Sequence, residues 1–331
     1  MYSHRMHDLF TADDRAKVNA AMVSGSSDRY QQLLLAQPTP SGGATWGARI
    51  GGIVAALVVG GILVALLGVI GLIALVVLLV VAIFLAGRIA RWLHERGLKS
   101  TAEREVVGGY ATERGWTMVQ ELPLANTTPL LRQGDRRATG WGITGSLDAA
   151  TGFAVGAYEY EVDREVASTD SEGNTSHHTE TQTFPFTIAL VTAPLPDLQK
   201  VAISRGSTGG LFSKLSGVFS DLRPVPLESA AFNDAYRLMV ADEADELAIR
   251  MRFTPAVLMA LVDRGAGESQ IEAESGVLLV AREGKAEVDD FGELLDVMGD
   301  AIWFRALLTD EPAGRIPDTA ALRTLLLGAN A

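Results

Sequence analysis

The chain has 331 residues, 48% of them hydrophobic, with 40 acidic against 28 basic side chains and a formal charge of −12. It contains no cysteine, which excludes disulfides and thiol chemistry without identifying a compartment. The acidity lies after residue 104, where the balance is −16; such a surface repels phosphate backbones, so no nucleic-acid partner is expected.

Residues 1–37 read as two short helices. Thr11 and Asp14 resemble a capping box leading into Ala12–Val23, Ser24–Ser27 breaks the helix, and Asp28–Gln37 resumes it. His4, His7 and Asp8 have helical spacing for a metal, but a frayed terminus with exposed histidines is the ordinary explanation. Residues 38–49 form a linker rich in proline and glycine.

From Ile50 to Gly87 no residue is charged or carries an amide or hydroxyl. A single helix of that length would run roughly 57 Å against a hydrocarbon core of about 30 Å. The expectation is therefore a transmembrane helical hairpin, Ile50–Leu67 and Leu72–Gly87, reversing near 68–71; one long tilted span or a shallow re-entrant pair are the alternatives. Trp46 and Arg49 before it, and Arg88, Arg91 and Trp92 after it, would anchor both ends at one interface. Gly52, Ala56, Gly60, Gly61 and Ala65 form a small-residue ridge suited to close helix packing in lipid. The basic excess over residues 88–104 predicts an integral protein of the inner membrane with its carboxyl-terminal part in the cytoplasm, and no secretory signal is read.

Residues 88–115 read as juxtamembrane helices, Arg88–Leu98 and Thr101–Arg114, stopped by Gly115. Residues 116–308 then read as a cytosolic α+β domain. Trp116–Val119 is extended, and Leu122–Leu131, with Pro123 and Pro129, is irregular. Thr139–Leu147, Gly152–Val162 and Thr179–Thr192 are strands by their β-branched and aromatic content. The alternating row Glu159, Glu161, Asp163 and Glu165 could be imagined as a cation site, but a solvated sheet face accounts for it better. Ser168–Thr179 reads as a long mobile hairpin tip, where adjacent His177 and His178 would point opposite ways and chelate poorly.

Leu198–Ser204 is a further strand. Arg205–Gly210 is not followed by the Gly-Lys-Ser/Thr of a phosphate-binding loop, Lys214 lying four residues past Gly210, and it reads as a turn before an amphipathic helix bearing Leu211, Phe212, Leu215, Val218 and Phe219. A helix around Phe232 then runs into strand Arg237–Val240. Helices Asp242–Ile249 and Thr254–Asp263, a hairpin of Gln270–Glu274 with Gly276–Arg282, and one or two helices over Val288–Leu308 follow. Residues 309–331 are a tail ending in a leucine-rich turn, Ala320–Leu327. The sheet is expected to be largely antiparallel and curled, with a pleckstrin-like barrel as one possible form.

The segments at residues 111–119, 134–161, 184–199, 230–249, 253–262 and 274–284 together resemble a family of uncharacterised actinobacterial-type membrane proteins. That resemblance implies an amino-terminal transmembrane segment with a cytosolic α+β domain, and it carries no catalytic residues. No catalytic, metal or cofactor motif stands out: GxSxG, HExxH and paired CxxC are absent, and Ser213 beside Lys214 has no supporting pattern. The expected function is a membrane-anchored binding, scaffold or sensor domain. Its expected partners are the lipid bilayer and another protein or a second copy; no cofactor is implied, and a small-molecule ligand is unknown. A membrane-active effector working through self-association of the hairpin, or an enzyme with an unrecognised site, are the alternatives.

Overall fold

A computed structural model describes residues 10–36, 69–169, 175–195, 198, 200–205, 221–264, 269–309 and 319–327. Seven α-helices and nine strands occupy them. The chain divides into two compact units, residues 22–109 and residues 1–21 with 110–331.

Helix α1 (Ala12–Ala36) opens with the expected reciprocal cap: the Thr11 N–H donates to Asp14 Oδ2 at 2.8 Å and the Asp14 N–H to Thr11 Oγ1 at 3.1 Å. The break expected at Ser24–Ser27 does not occur. The Ser26 hydroxyl donates to Val23 O at 3.0 Å, within its own helix. A Cβ placed on Gly25 would come within 3.3 Å of Val106, so glycine serves close packing here rather than a turn.

Helix α2 (Val69–Glu113) runs for 45 residues. It contains Gly71, so no reversal occurs between Gly71 and Glu113, and the two expected juxtamembrane helices are parts of one. Between α1 and α2 the smaller unit holds an Arg29–Glu105 ion pair, with Ala102 and Val107 fully buried.

Among the described residues no helix is long and apolar enough to cross a membrane. This overturns the transmembrane hairpin, the integral-membrane reading and the inner-membrane placement expected from residues 50–87. The expectation treated the apolar run as a unit. Its second half instead belongs to a longer helix that carries exposed Arg88, Arg91, Glu95, Arg96 and Lys99. Trp46, Arg49 and the ridge of Gly52, Ala56, Gly60, Gly61 and Ala65 lie outside the described residues. Trp92 is 54% exposed, with the Arg96 guanidinium 5.2 Å from its ring centre.

The larger unit is built on one open antiparallel sheet. Its strands are β1 (Thr117–Val119), β2 (Arg136–Ser146), β3 (Gly152–Thr169), β4 (Thr175–Thr192), β5 (Lys200–Arg205), β6 (Leu222–Pro224), β7 (Tyr236–Ala241), β8 (Gln270–Glu274) and β9 (Val277–Glu283). The spatial order is β1-β2-β3-β4-β9-β8-β5-β7-β6, with β1 and β6 as edges, which is not a closed barrel. The β8–β9 turn has Ser275 and Gly276 at φ 55° and 78°, the left-handed pair that a two-residue hairpin needs.

The remaining helices are α3 (Ala230–Ala235), α4 (Glu246–Arg252), α5 (Pro255–Arg264), α6 (Phe291–Thr309) and α7 (Thr319–Leu327). Helix α6 lies across β3, β4 and β9 on one face, burying Phe291, Leu294, Leu295, Met298, Trp303 and Phe304. The other face is covered by the irregular connection between β1 and β2. There Leu122, Leu130 and Leu131 pack on Tyr158, Tyr160, Phe186, Ile188 and Leu279. Gly142 and Gly156 are cross-strand partners. A Cβ on Gly156 would lie 2.5 Å from Trp141 O and 3.0 Å from Leu122 Cδ1, so the bare backbone makes the seat for Leu122.

Candidate functional site

Strands β3 and β4 pair without a register break from Phe153–Val191 to Thr169–Thr175. Their neighbours stop much sooner. β2 accompanies β3 only as far as Glu161, and β9 accompanies β4 only from Phe186 onward. Beyond those points the hairpin continues as a two-stranded ribbon, exposed along β4 from Thr175 to Thr183. The sequence expectation ended β3 at Val162 and read Ser168–Thr179 as a mobile loop tip, whereas the strands continue to Thr169 and resume at Thr175. From Thr175 to Thr183 the residues are polar on both faces, so this part of β4 has no apolar beat to reveal a strand.

The ribbon is rooted by aromatic stacking. Tyr160 lies 4.9 Å from Phe184 at 18° between planes, and 5.7 Å from Phe186 at 14°. The acidic row then becomes an ion-pair ladder. Glu159 meets Lys285 at 3.6 Å, Arg136 bridges Glu161 at 2.6 Å and Asp163 at 2.9 Å, and His177 reaches Glu165 at 3.2 Å. Thr181 adds a bond to Asp163 at 2.7 Å. Glu159, Glu161 and Asp163 are therefore matched by Lys285 and Arg136, and His177 and His178 share no ligand between them. Among the described residues no group of three His, Cys, Asp or Glu side chains could hold a metal ion.

A second polar assembly lies inside the sheet. Gln270, Glu272 and Glu274 share one face of β8, and Glu272 is fully buried with Gln270 2% exposed. Glu272 accepts from the Leu130 N–H at 3.0 Å and from the Gln270 amide. Burial pushes its carboxyl up to about 7, partly offset by those donors and by Thr128 and Arg132. Arg132 itself is engaged with Glu274 at 2.6 Å.

Ser204 faces this group: extending the Ala202–Glu272 and Ile203–Ile271 pairings of β5 and β8 sets it opposite Gln270. Gln270–Glu274 is expected only as one strand of a hairpin, and its local pattern does not single out Glu272. The signal was in the apolar, proline-bearing stretch 122–131, which needs a surface to cover.

Next to it is a cleft of about 510 Å³ floored by Tyr158 and lined by Leu122, Leu124, Leu131, Asn126 and Arg137. The Arg137 guanidinium is committed to Asn126 Oδ1 and Leu131 O, both at 3.1 Å. The Tyr158 hydroxyl donates to Leu130 O at 3.3 Å, and burial pushes its pKa up to about 12. These groups hold the connection in place; none forms a nucleophile–base pair.

A third cluster joins β9 to α6. Arg282 donates to Glu293 at 2.9 Å, to Asp300 at 2.6 Å and to Ser269 at 2.9 Å. Arg15 of α1 meets Asp296 at 3.0 Å. Burial opposes charge on Arg282, but the carboxylates of Asp300, Glu293 and Asp296 raise its pKa above the ordinary guanidinium value. This cluster fastens the start of α1 to α6, and the Asn19 side chain accepting from the Gly292 N–H at 2.7 Å assists it.

His4, His7, the Gly206–Gly210 stretch, Ser213 and Lys214 lie outside the described residues. Comparison with protein-family models, with curated proteins and with solved structures finds no match for this chain.

Proposed function

We propose that this chain is a binding domain, and that the β3–β4 ribbon is the surface it offers to another polypeptide. The observation that carries the reading is the ribbon itself. A sheet edge that projects past its neighbours presents backbone N–H and C=O groups ready to pair with a further strand. The buried clusters support the same reading from the other side. Glu272, Arg282 and Tyr158 are each tied to backbone or to countercharges that fasten one element to another, which is a structural use of buried polar groups.

The test is site-specific photo-crosslinking in the cells that make the protein, with a benzophenone amino acid at His178 or Glu165 and at exposed Glu243 as the control position. Discrete adducts from the ribbon positions and none from Glu243 are expected. Ribbon positions that give no adduct of any mass overturn the reading.

A further inference from the structure

The outer edge of β4 shows no strand partner from Ser176 to Thr183 among the described residues, β3 occupying its other side. On the root side this open edge ends where Gly284 N–H donates to Pro185 O at 3.0 Å and β9 begins. Edge strands in monomeric proteins are commonly guarded by lysine, proline or a bulge. The segment Ser-His-His-Thr-Glu-Thr-Gln-Thr (176–183) has neither lysine nor proline, its pairing with β3 is regular throughout, and three of its residues are β-branched threonines.

We propose that this edge pairs, antiparallel, with the same edge of a second copy of the chain, about a two-fold axis through Thr179. The inference rests on the reading of the ribbon as an interaction surface and names its partner.

Charge selects the occupant and the register. Glu180 carries the one acidic side chain of the segment. With the axis at Thr179, each Glu180 stands opposite His178 of the other copy, Ser176 opposite Gln182 and His177 opposite Thr181. Moving the axis to Glu180 sets two carboxylates face to face, and moving it to His178 does the same to two imidazoles. An axis at Thr181 leaves Glu180 opposite neutral Gln182.

A two-fold axis perpendicular to the sheet keeps side chains on their own faces, so His178 and Glu180 meet on the face that also carries Arg164. Arg164 is the cross-strand partner of Glu180 within its own hairpin. Glu180 would then lie between two cationic or hydrogen-bond-donating groups, one from each copy. The pairing joins two ribbons into four adjacent strands, and a lone two-stranded ribbon in water is only marginally stable.

The cysteine-free chain allows a direct test. Full-length Thr179→Cys and Thr183→Cys proteins are oxidised mildly, and the wild type is weighed by sedimentation across the micromolar range. At the axis the Cα atoms of position 179 in the two copies would be about 4.5–5.5 Å apart, within disulfide reach, whereas the two copies of position 183 would be on the order of 26 Å apart.

The expected results are a wild-type dimer, rapid disulfide formation at 179 and little at 183. His178→Glu should weaken the dimer on the order of tenfold, through two like-charge contacts per dimer. Adding Glu180→Arg to it should restore the dimer, which loss of folding could not do.

A monomer at all concentrations, equal crosslinking at 179 and 183, or a dimer indifferent to His178→Glu overturns the proposal. Ribbon photo-adducts with a different protein, from a chain that is monomeric, overturn the second copy and leave the binding reading standing. No ribbon adduct of any mass removes both.

Discussion

The root and the distal half of the β3–β4 hairpin share the same two strands and one unbroken ladder, yet different forces hold them. At the root, Tyr158, Tyr160, Phe184, Phe186 and Ile188 are buried between the β1–β2 connection and neighbouring strands. In the distal half the side chains from Asp163 to Glu165 and from Thr175 to Thr183 are exposed and are joined by cross-strand polar pairs. Exposed pairs contribute about 0.2–1 kcal/mol each, whereas a large buried side chain is worth several times that. The root therefore supplies the stability, and the distal half is free to vary in sequence without unfolding the domain.

The largest expected effect is at the root. Gly156→Val places a Cβ 2.8 Å from Gly142 Cα and closer still to Trp141 O, and it should cost more than about 3 kcal/mol in denaturant unfolding. A loss below about 1 kcal/mol would mean that the strands can part locally and that the root is not close-packed.

Next is the buried acid. The carboxyl of Glu272 has a folded pKa of about 7 against an ordinary 4.5, so the folded state holds its proton more tightly than the unfolded chain. Stability from this group is fully present below about pH 4.5 and is lost as pH rises through 7. Glu272→Gln should flatten stability between about pH 5 and 8, leaving the variant on the order of 2–3 kcal/mol ahead of the wild type at the upper end. Parallel pH profiles for the two proteins would show that Glu272 is ionised throughout.

Smaller effects belong to the distal half. Arg136→Ala removes the bridge to Glu161 and Asp163 and should shift the denaturant midpoint only slightly, and less still at about 1 M salt. Replacing residues 163–181 with Asn-Gly, so that Val162 meets Gln182 across a tight turn, should move Tm by no more than about 3 °C. A drop of about 10 °C would erase the distinction between the two halves.

The sequence made regular, half-buried elements readable. The Thr11–Asp14 cap, the aromatic beat of β3 and β4 near the root, the β8–β9 hairpin and the apolar helix α6 all carry local signals. What stayed hidden depends on partners far along the chain. Ser24–Ser27 looked like a break because the contact of Gly25 with Val106 is 81 positions away. The apolar run 50–87 was read alone, whereas its second half belongs to a helix continuing to Glu113. Glu272 depends on a backbone donor at Leu130, 142 positions earlier. The distal part of β4 was obscured because its residues from Thr175 to Thr183 are polar on both faces.

The strand order has a consequence for how the protein is made. β4 finds its second neighbour in β9, so Phe186 must wait for Glu283, 97 residues later, before its edge is closed. At a synthesis rate of about 5–20 residues per second that interval is roughly 5–20 s. During it the nascent chain shows an open strand carrying Ile188, Leu190 and Val191, an edge of the kind that recruits chaperones or aggregates. Among the described residues the last strands to leave the ribosome, β8 and β9, enter the middle of the sheet. Folding is thus a late event, and truncations before Glu283 should be handled by the cell as unfolded protein.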